Sequence, residues 1–430
     1  MKELFYDVVV AGAGPAGICA AVSAARAGAR VALLERFGMI GGMLTSGAVQ
    51  PILGSTAPGT MYDEICELAL KSATKKDVPV SRVGKEIPLD LENFKILLSQ
   101  LVHESSIELF LCSPVIDVTM EDKRVQSVVA ALPEGLTCFF ADVFVDATGD
   151  GTLSVLAGAK YSIGRDSDNA TQPASIEFTL DHVDETIAIT AYGGSDPVCL
   201  PNGYSYSNLC KEAEKKGILP KNVTIVRLHR TGKNGERNVN ANQVNGIDLL
   251  SGRGLAEADY LLRKQIQDIV LFLQNNIPGY ENFQLKSSAS TVGIRETRRI
   301  SCIKNLSDQD VEIGTHCDDV IVHDAWFLID IHNPQGGGQE EGYSHMALPY
   351  DIPYGAIIPD QVDGILVAGR CIGGTHRANA SYRISGICMA TGQAAGIAAA
   401  LSSKNKIIPR KLDIKMLQTA LIKEGCKLFN

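Results

Sequence analysis

One segment near the N-terminus restricts the fold more than any other. Tyr6 to Ala11 (YDVVVA) is a short valine-rich run of the kind that forms a strand buried on both faces. Gly12, Gly14 and Gly17 follow at once as G-x-G-x-x-G, with Pro15 and Ala16 inside the pattern. The alanine-rich run Ile18 to Ala27 reads as a helix stopped by Gly28, and Arg30 to Glu35 (RVALLE) as a second buried strand ending in an acid. Together they have the size of one βαβ unit, about 30 residues. Three glycines at this spacing say little by themselves in a chain with 41 glycines among 430 residues. Between a strand and a helix each has a task. Gly12 permits the tight turn, Gly14 lets backbone approach a pyrophosphate, and Gly17 lets helix and strand pack closely. The helix start then offers free N–H groups and a positive dipole end to phosphates. Glu35 is placed to accept hydrogen bonds from ribose hydroxyls and would repel a 2′-phosphate, so the unit predicts a bound dinucleotide other than NADP.

Composition removes several other readings. Hydrophobic residues make up 45% and charged residues 21%, a globular balance with material for a large core. The net charge of −9 and the lack of any long Lys/Arg run argue against nucleic acid. Aromatics are only 6%, with Trp326 the single tryptophan, which gives no stacking groove. The eleven cysteines are scattered and never form Cys-x-x-Cys, so zinc, iron–sulfur and thioredoxin-like sites have no sequence support. Reduced buried thiols in a cytoplasmic protein are expected instead. Met1 to Asp7 has no signal-peptide pattern, and the apolar stretch Val8 to Leu34 is broken by glycines, Pro15, Arg26 and Arg30, so no membrane span is expected.

Further along, Gly38 to Gly59 reads as an ordered loop, Met61–Lys71 and Leu91–Glu104 as helices. Four strands are expected at Ile107–Leu111, Val115–Met120, Val125–Ala131 and Thr137–Val145. The last runs into Asp146-Ala147-Thr148-Gly149-Asp150-Gly151. From about residue 166 the texture changes to mixed strands, helices and polar loops. Near Leu348 the buried β pattern returns, with a strand at Ile365–Gly369, a small-residue helix over Ile384–Leu401 and a last helix over about Arg410–Glu424. The expected class is α/β: a three-layer Rossmann-like FAD/NAD(P)-binding fold, parallel sheet plus β-meander, with a second α+β substrate domain. Residues 1–165 and 346–430 would form the first domain and 166–345 the second.

Several segments together resemble the bacterial FAD-dependent oxidoreductases with the glutathione reductase type of nucleotide-binding fold. The resemblance extends to the flavoprotein A subunit of heterodisulfide reductase and, distantly, to fumarate reductase flavoproteins. It is carried by Asp7–Glu35, Ile40–Gly47, Val145–Gly151, Gly293–Ile300, Ile329–His332, Tyr350–Gly355 and Leu366–Leu401. It implies FAD as cofactor, with Gly12, Gly14, Pro15, Ala16 and Gly17 at the pyrophosphate, Glu35 at the adenosine ribose and Arg36 beside the adenine. It further implies Gly41, Gly42 and Met43 on the approach to the flavin, and Val115 pairing its backbone with adenine. Ala147, Gly149 and Asp150 would close over the dinucleotide, and Gly369, Arg370, Ser385 and Gly386 would face the ribityl chain and isoalloxazine. Arg370 stands where many fumarate reductase relatives carry Glu. Gly41–Thr45 holds no His for a covalent flavin link, so non-covalent FAD is expected.

Gly374-Thr375-His376-Arg377-Ala378-Asn379 is similar to the fumarate reductase segment whose His and Arg hold an anionic substrate, but Ala380 replaces the Arg that directly follows the Asn. The catalytic candidates are His376, Arg383 and Arg295. Alternation along a strand would place Arg295 and Arg299 on one face and Arg298 on the other. His332 and Asp330 would share a face; His345 lies in a polar loop, and Gly336-Gly337-Gly338 reads as a mobile loop near the substrate. The expected activity is hydride or electron transfer between a small-molecule substrate and FAD at the domain interface. The alternative is a non-catalytic FAD-binding or electron-transfer subunit. With one dinucleotide fingerprint, NAD(P)H by transient contact, a redox protein or dioxygen stay open as electron partner; the sequence is silent on oligomeric state.

Overall fold

Val8, Val9 and Val10 are completely buried, because the strand that carries them is central in its sheet and both of its faces are packed into the core. In the computed structural model, residues 1–74, 87–194, 196–339 and 347–429 are described. Strand β1 (Lys2–Ala11) begins before the expected Tyr6. Helix α1 (Pro15–Arg26) starts on proline, whose fixed φ suits a first helical turn, and β2 (Val31–Leu34) lies parallel to β1 with Val8 opposite Val31. Helices α2 (Met61–Ser72) and α3 (Leu91–Glu104) follow, the second capped by the Asp90 carboxylate, which accepts from the N–H groups of Glu92 and Asn93. Then come β3 (Glu108–Phe110), β4 (Val115–Glu121), β5 (Arg124–Leu132) and β6 (Gly135–Asp146). Strand β6 explains the early start of β1, since it pairs with β1 from Thr137 opposite Lys2 to Asp146 opposite Ala11.

The chain continues through α4 (Thr152–Leu156), β7 (Tyr161–Ile163), β8 (Phe178–Asp181), α5 (Tyr206–Lys215), β9 (Arg227–Arg230) and β10 (Arg237–Asn240). After these come α6 (Gly252–Asn276), β11 (Gln284–Ser288), β12 (Arg298–Ile300), α7 (Asp308–Ile313), β13 (Val320–Ala325) and β14 (Tyr350–Pro353). The last elements are β15 (Ile365–Val367), α8 (His376–Tyr382), α9 (Ser385–Lys404) and α10 (Ile414–Lys423). The C-terminal helix starts later than the expected Arg410 because Pro409–Lys411 forms a 3₁₀ turn and Asp413 caps the helix through the Lys415 N–H.

The main sheet has the order β3-β2-β1-β6-β5-β4. Strands β3, β2, β1 and β6 are parallel, and β6, β5 and β4 form an antiparallel meander. Strand β15 is parallel to the last residues of β6, Phe144 to Asp146, on the side away from β1. The mixed sheet with its covering helices is an α/β Rossmann-like nucleotide-binding fold. A second, antiparallel sheet has the order β11-β8-β10-β9.

Two hydrophobic cores follow this division. The first joins residues 6–159 to residues 300–428. The second draws on residues 174–292 and Ala48. Residues 300–331, read from sequence as part of the second domain, thus pack into the first core through Ile300, Leu306, Val311, Ile321 and Ile329. Helix α9 lies along α1 so closely that a Cβ at Gly392 would be 2.1 Å from Ala16 O and one at Gly396 2.1 Å from Ala20 O. Residues Gly336 to Gly338 form a turn whose Gly336 carbonyl accepts from Gln243 Nε2 at 2.7 Å, with Gly337 against Asn222. Among the described residues no single helix is long and apolar enough to cross a membrane.

Candidate functional site

The site is assembled around the end of β1. Gly12 has φ +93°, and a Cβ there would stand 2.6 Å from Ala147 O at the end of β6. A Cβ on Gly17 would be 1.7 Å from Gly12 O, so the first turn of α1 is pressed onto the loop. Gly14 differs: a Cβ there would touch no protein atom. It is also the N-cap of α1 and makes no side-chain cap, so the N–H groups of the first turn are not met by a cap. Beside it Glu35, buried, accepts from Ala13 N at 2.7 Å and Phe37 N at 2.9 Å. Burial raises the pKa of this carboxyl group, against the pull of those N–H groups. Gly41 donates to Ala13 O at 2.7 Å, which ties the turn holding Gly42 and Met43 to the glycine loop. Val115 opens β4 two residues after Ser113, whose N–H donates to Glu35 O.

The opposite wall comes from the ends of β6 and β15. Asp146 is fully buried and accepts from Thr148 N and Oγ1 and from Ser154 N and Oγ, at 2.7–3.1 Å. It therefore fixes the Ala147–Gly151 turn. Asp150 receives Arg370 Nη2 at 2.5 Å and Thr297 Oγ1 at 2.7 Å, and Arg36 lies 3.6 Å away. Burial opposes ionisation of Asp150, but Arg370 and Arg36 outweigh it and hold the carboxyl below its usual range. Arg370 also crosses Gly149, its Nη2 3.1 Å from where a Cβ would be. Three predicted contacts, Arg36, Asp150 and Arg370, thus form one charge cluster. Gly369 donates to Thr391 Oγ1 at 3.1 Å. At the start of α9, Gly386 gives its N–H to Leu53 O at 3.1 Å and packs on Tyr62, while the half-buried Ser385 accepts from Leu53 N at 3.4 Å.

A buried polar cluster spans the two cores. His376 Nδ1 is 2.8 Å from Glu296 Oε1, and Glu296 is paired with Arg299 and accepts from Gln172 N at 3.2 Å. His376 Nε2 is buried and has no hydrogen-bond partner in the protein; the same is true of Arg383 Nε and Gln172 Nε2. Arg383 Nη2 donates to Asp330 O at 3.0 Å and approaches Asp330 Oδ2 at 3.2 Å. His332 Nε2 lies 3.3 Å from Asp330 Oδ2. Burial, reinforced by Arg295, pushes the His332 imidazole down to about 3, so it is neutral at ordinary pH. Arg295 donates to Pro173 O at 2.8 Å; burial, then the neighbouring Arg383, lowers its pKa to about 10.

The three catalytic candidates from the sequence therefore meet in one cluster, but the expected two-faced strand does not exist. Strand β12 begins only at Arg298, so Arg295 lies outside the alternation, and Arg299 is wholly committed to Glu296, Gly374 O and Gly164 O. Sequence reasoning missed Glu296, Gln172, Asp146 and Thr297. A lone acid inside the basic run Arg295–Arg299 was the available signal for Glu296. His345 lies outside the described residues. A cavity of ≈ 260 Å³ opens beside Glu296 and Thr297, lined also by Ile163, Asn169, Thr171 and Asp248.

The open face of Gly14, the uncapped start of α1 and the buried Glu35 match the needs of a pyrophosphate and a ribose. Fold and site define a dinucleotide-binding flavoprotein of the Rossmann-like class. The chain belongs to the FAD dependent oxidoreductase family, whose model matches residues 7–421, and FAD is its cofactor. Over 34% of the chain it is 32% identical to the thiamine thiazole synthase of Aeropyrum pernix, a match spanning 56% of that protein. A shorter match, 44% identical over 16% of the chain, covers 7% of the sarcosine oxidase subunit alpha of a Corynebacterium species. The curated relatives are thus matched over little more than half their length at most. Among solved structures, p-nitrophenol 4-monooxygenase from Pseudomonas putida covers 99% of this chain, and the chain covers 85% of it, at 12% identity and a TM-score of 0.48. For a geranylgeranyl bacteriochlorophyll reductase-like protein from Thermoplasma acidophilum the figures are 99%, 85%, 15% and 0.46. Such distant likenesses carry no substrate information.

Proposed function

We propose that this FAD-dependent oxidoreductase binds FAD non-covalently and acts on a small molecule held between the two cores, with His376 as the group that holds or moves a proton. FAD, when bound, supplies a two-electron redox centre. Gly12 to Gly17, Glu35 and Arg36 would hold its adenosine diphosphate part; Met43, Arg370 and Ser385 would flank the rest. The observation that carries the reading is the state of His376. Its Nδ1 is committed to a fully buried carboxylate, and its Nε2 is buried without a partner. A carboxylate accepting from Nδ1–H leaves Nε2 as the free acceptor and fixes the ring, the arrangement that acid–base work requires. Arg383 Nε is a second buried donor without a partner in the protein. The ≈ 260 Å³ cavity next to Glu296 suits a compact substrate. No described feature favours the electron-transfer subunit.

The test is transient kinetics on the FAD-loaded protein with a panel of small-molecule donors and acceptors. His376→Asn is expected to slow turnover about 10²-fold or more, the usual worth of an acid–base group, while leaving FAD occupancy unchanged. Glu296→Gln should retain part of that loss and shift the pH profile. Unaltered rates in both variants would remove His376 from the chemistry, and a protein that takes up no FAD on reconstitution would overturn the reading entirely.

A further inference from the structure

The pair β13–β14 carries a β-bulge outside the flavin site. Val322 pairs with Ile352 and Ala325 with Tyr350, so His323 and Asp324 together stand opposite the single residue Asp351. A bulge re-aims side chains, and here it gathers three ligand types around one point. His323 Nδ1 lies 2.7 Å and His316 Nδ1 3.1 Å from the same oxygen, Asp351 Oδ1. All three donor atoms lie within 4.8 Å of one another. Asp351 and His323 are 3% and 2% exposed in their side chains, while His316 is 49% exposed, which leaves a route in from solvent. None of these residues takes part in the dinucleotide site or in the His376 cluster.

We propose that His316, His323 and Asp351 form a site for one borderline divalent cation of the Zn²⁺, Co²⁺ or Ni²⁺ type. Two imidazoles and one carboxylate are a donor set that suits these ions and not Mg²⁺ or Ca²⁺. Ligand atoms about 2.1 Å from a tetrahedral metal stand roughly 3.4 Å apart, so the present spacing needs only small side-chain adjustments. A second observation supports it independently. Asp324, at φ 49°, brings its carboxylate to 3.6 Å from His323 Nε2. A carboxylate facing the second ring nitrogen of a histidine is the usual support of a metal-bound imidazole. Asp351 Oδ2 is in turn anchored by Cys317 N at 3.1 Å. The ion would clamp the loop after α7 onto the bulge, a structural cross-link with its fourth position open to water.

The experiment uses the untagged, FAD-loaded full chain, freed of metal by chelator and dialysis, titrated with Co²⁺ and then Zn²⁺. The expected result is saturable uptake of one Co²⁺ with Kd below about 10 μM, displacement by Zn²⁺ and a raised melting temperature. His316→Ala, on the exposed side, should leave the metal-free melting temperature alone and weaken binding at least about 30-fold; Asp324→Asn should weaken it about 10-fold. Saturable binding that is the same in His316→Ala, or no saturable binding below ~100 μM in the unsubstituted protein, would overturn the proposal.

Discussion

At the scale of single residues, the glycine loop separates what the fold needs from what the cofactor needs. Gly17→Ala would drive a methyl group to 1.7 Å from Gly12 O, backbone against backbone. It should destabilise the apoprotein by about 2–3 kcal/mol, as overpacking does. Gly14→Ala meets no protein atom, and its φ of −74° suits alanine. Its unfolding curve without FAD should shift by less than ~0.5 kcal/mol, while FAD dissociation, followed by flavin fluorescence, should become about tenfold more favourable or greater. Equal effects of the two substitutions in both assays would mean that Gly14 does not face the phosphates. The tight turn at Gly12 and the close packing at Gly17 were legible because glycine chemistry is local: a turn between strand and helix announces itself in sequence. Glu296 and Asp146 were not legible, because their partners lie across the fold or in a turn whose closure depends on it. A buried carboxylate looks like any other acid until His376, or Thr148 and Ser154, are placed around it.

At the scale of elements, α9 has a task that its composition disguised. Ser385 and Gly386 at its start are the residues expected at the flavin, while Gly392 and Gly396 further along serve contact with α1, whose backbone carbonyls of Ala16 and Ala20 they meet. Gly396→Ala should force the helices apart and cost about 1–3 kcal/mol in denaturant unfolding, and the FAD-loaded form should lose occupancy, since α1 carries the phosphate loop. Retention of both stability and occupancy would show that the two helices are not held at this spacing. The strand over Arg295–Ile300 illustrates the opposite limit. Period-two alternation is a sound rule for a strand of ordinary length, but β12 keeps only Arg298–Ile300. Arg295 is placed instead by the Pro173 carbonyl, a contact with no trace in local sequence.

For the whole molecule, the polar cluster between the cores makes stability depend on pH. Unfolded, the His332 imidazole takes a proton near pH 6.5; folded, it does so only near 3. In that window the unfolded chain binds more protons, so stability should fall as pH drops from about 6.5 towards 3. The groups facing it are Arg295, Asp330 and Arg227. His332→Gln should flatten the acid limb of a melting-temperature–pH profile; an identical slope would remove His332 as its source. The βαβ unit and the returning C-terminal strand and helix were legible as elements, with their ends shifted by a few residues. The edge between the cores was not, because Ile300 to Ile331 have the same mixed texture as residues 174–292 and only packing assigns them to the first core. That packing has a consequence for synthesis. Strand β15 rejoins the sheet beside β6 only after the entire second core has been made, and α9 later still. On a ribosome adding about 5–20 residues per second, residues 174–292 are complete while α1 still shows its bare alanine flank. The nascent chain must shield that flank, or have it shielded, until the last helix emerges to cover it.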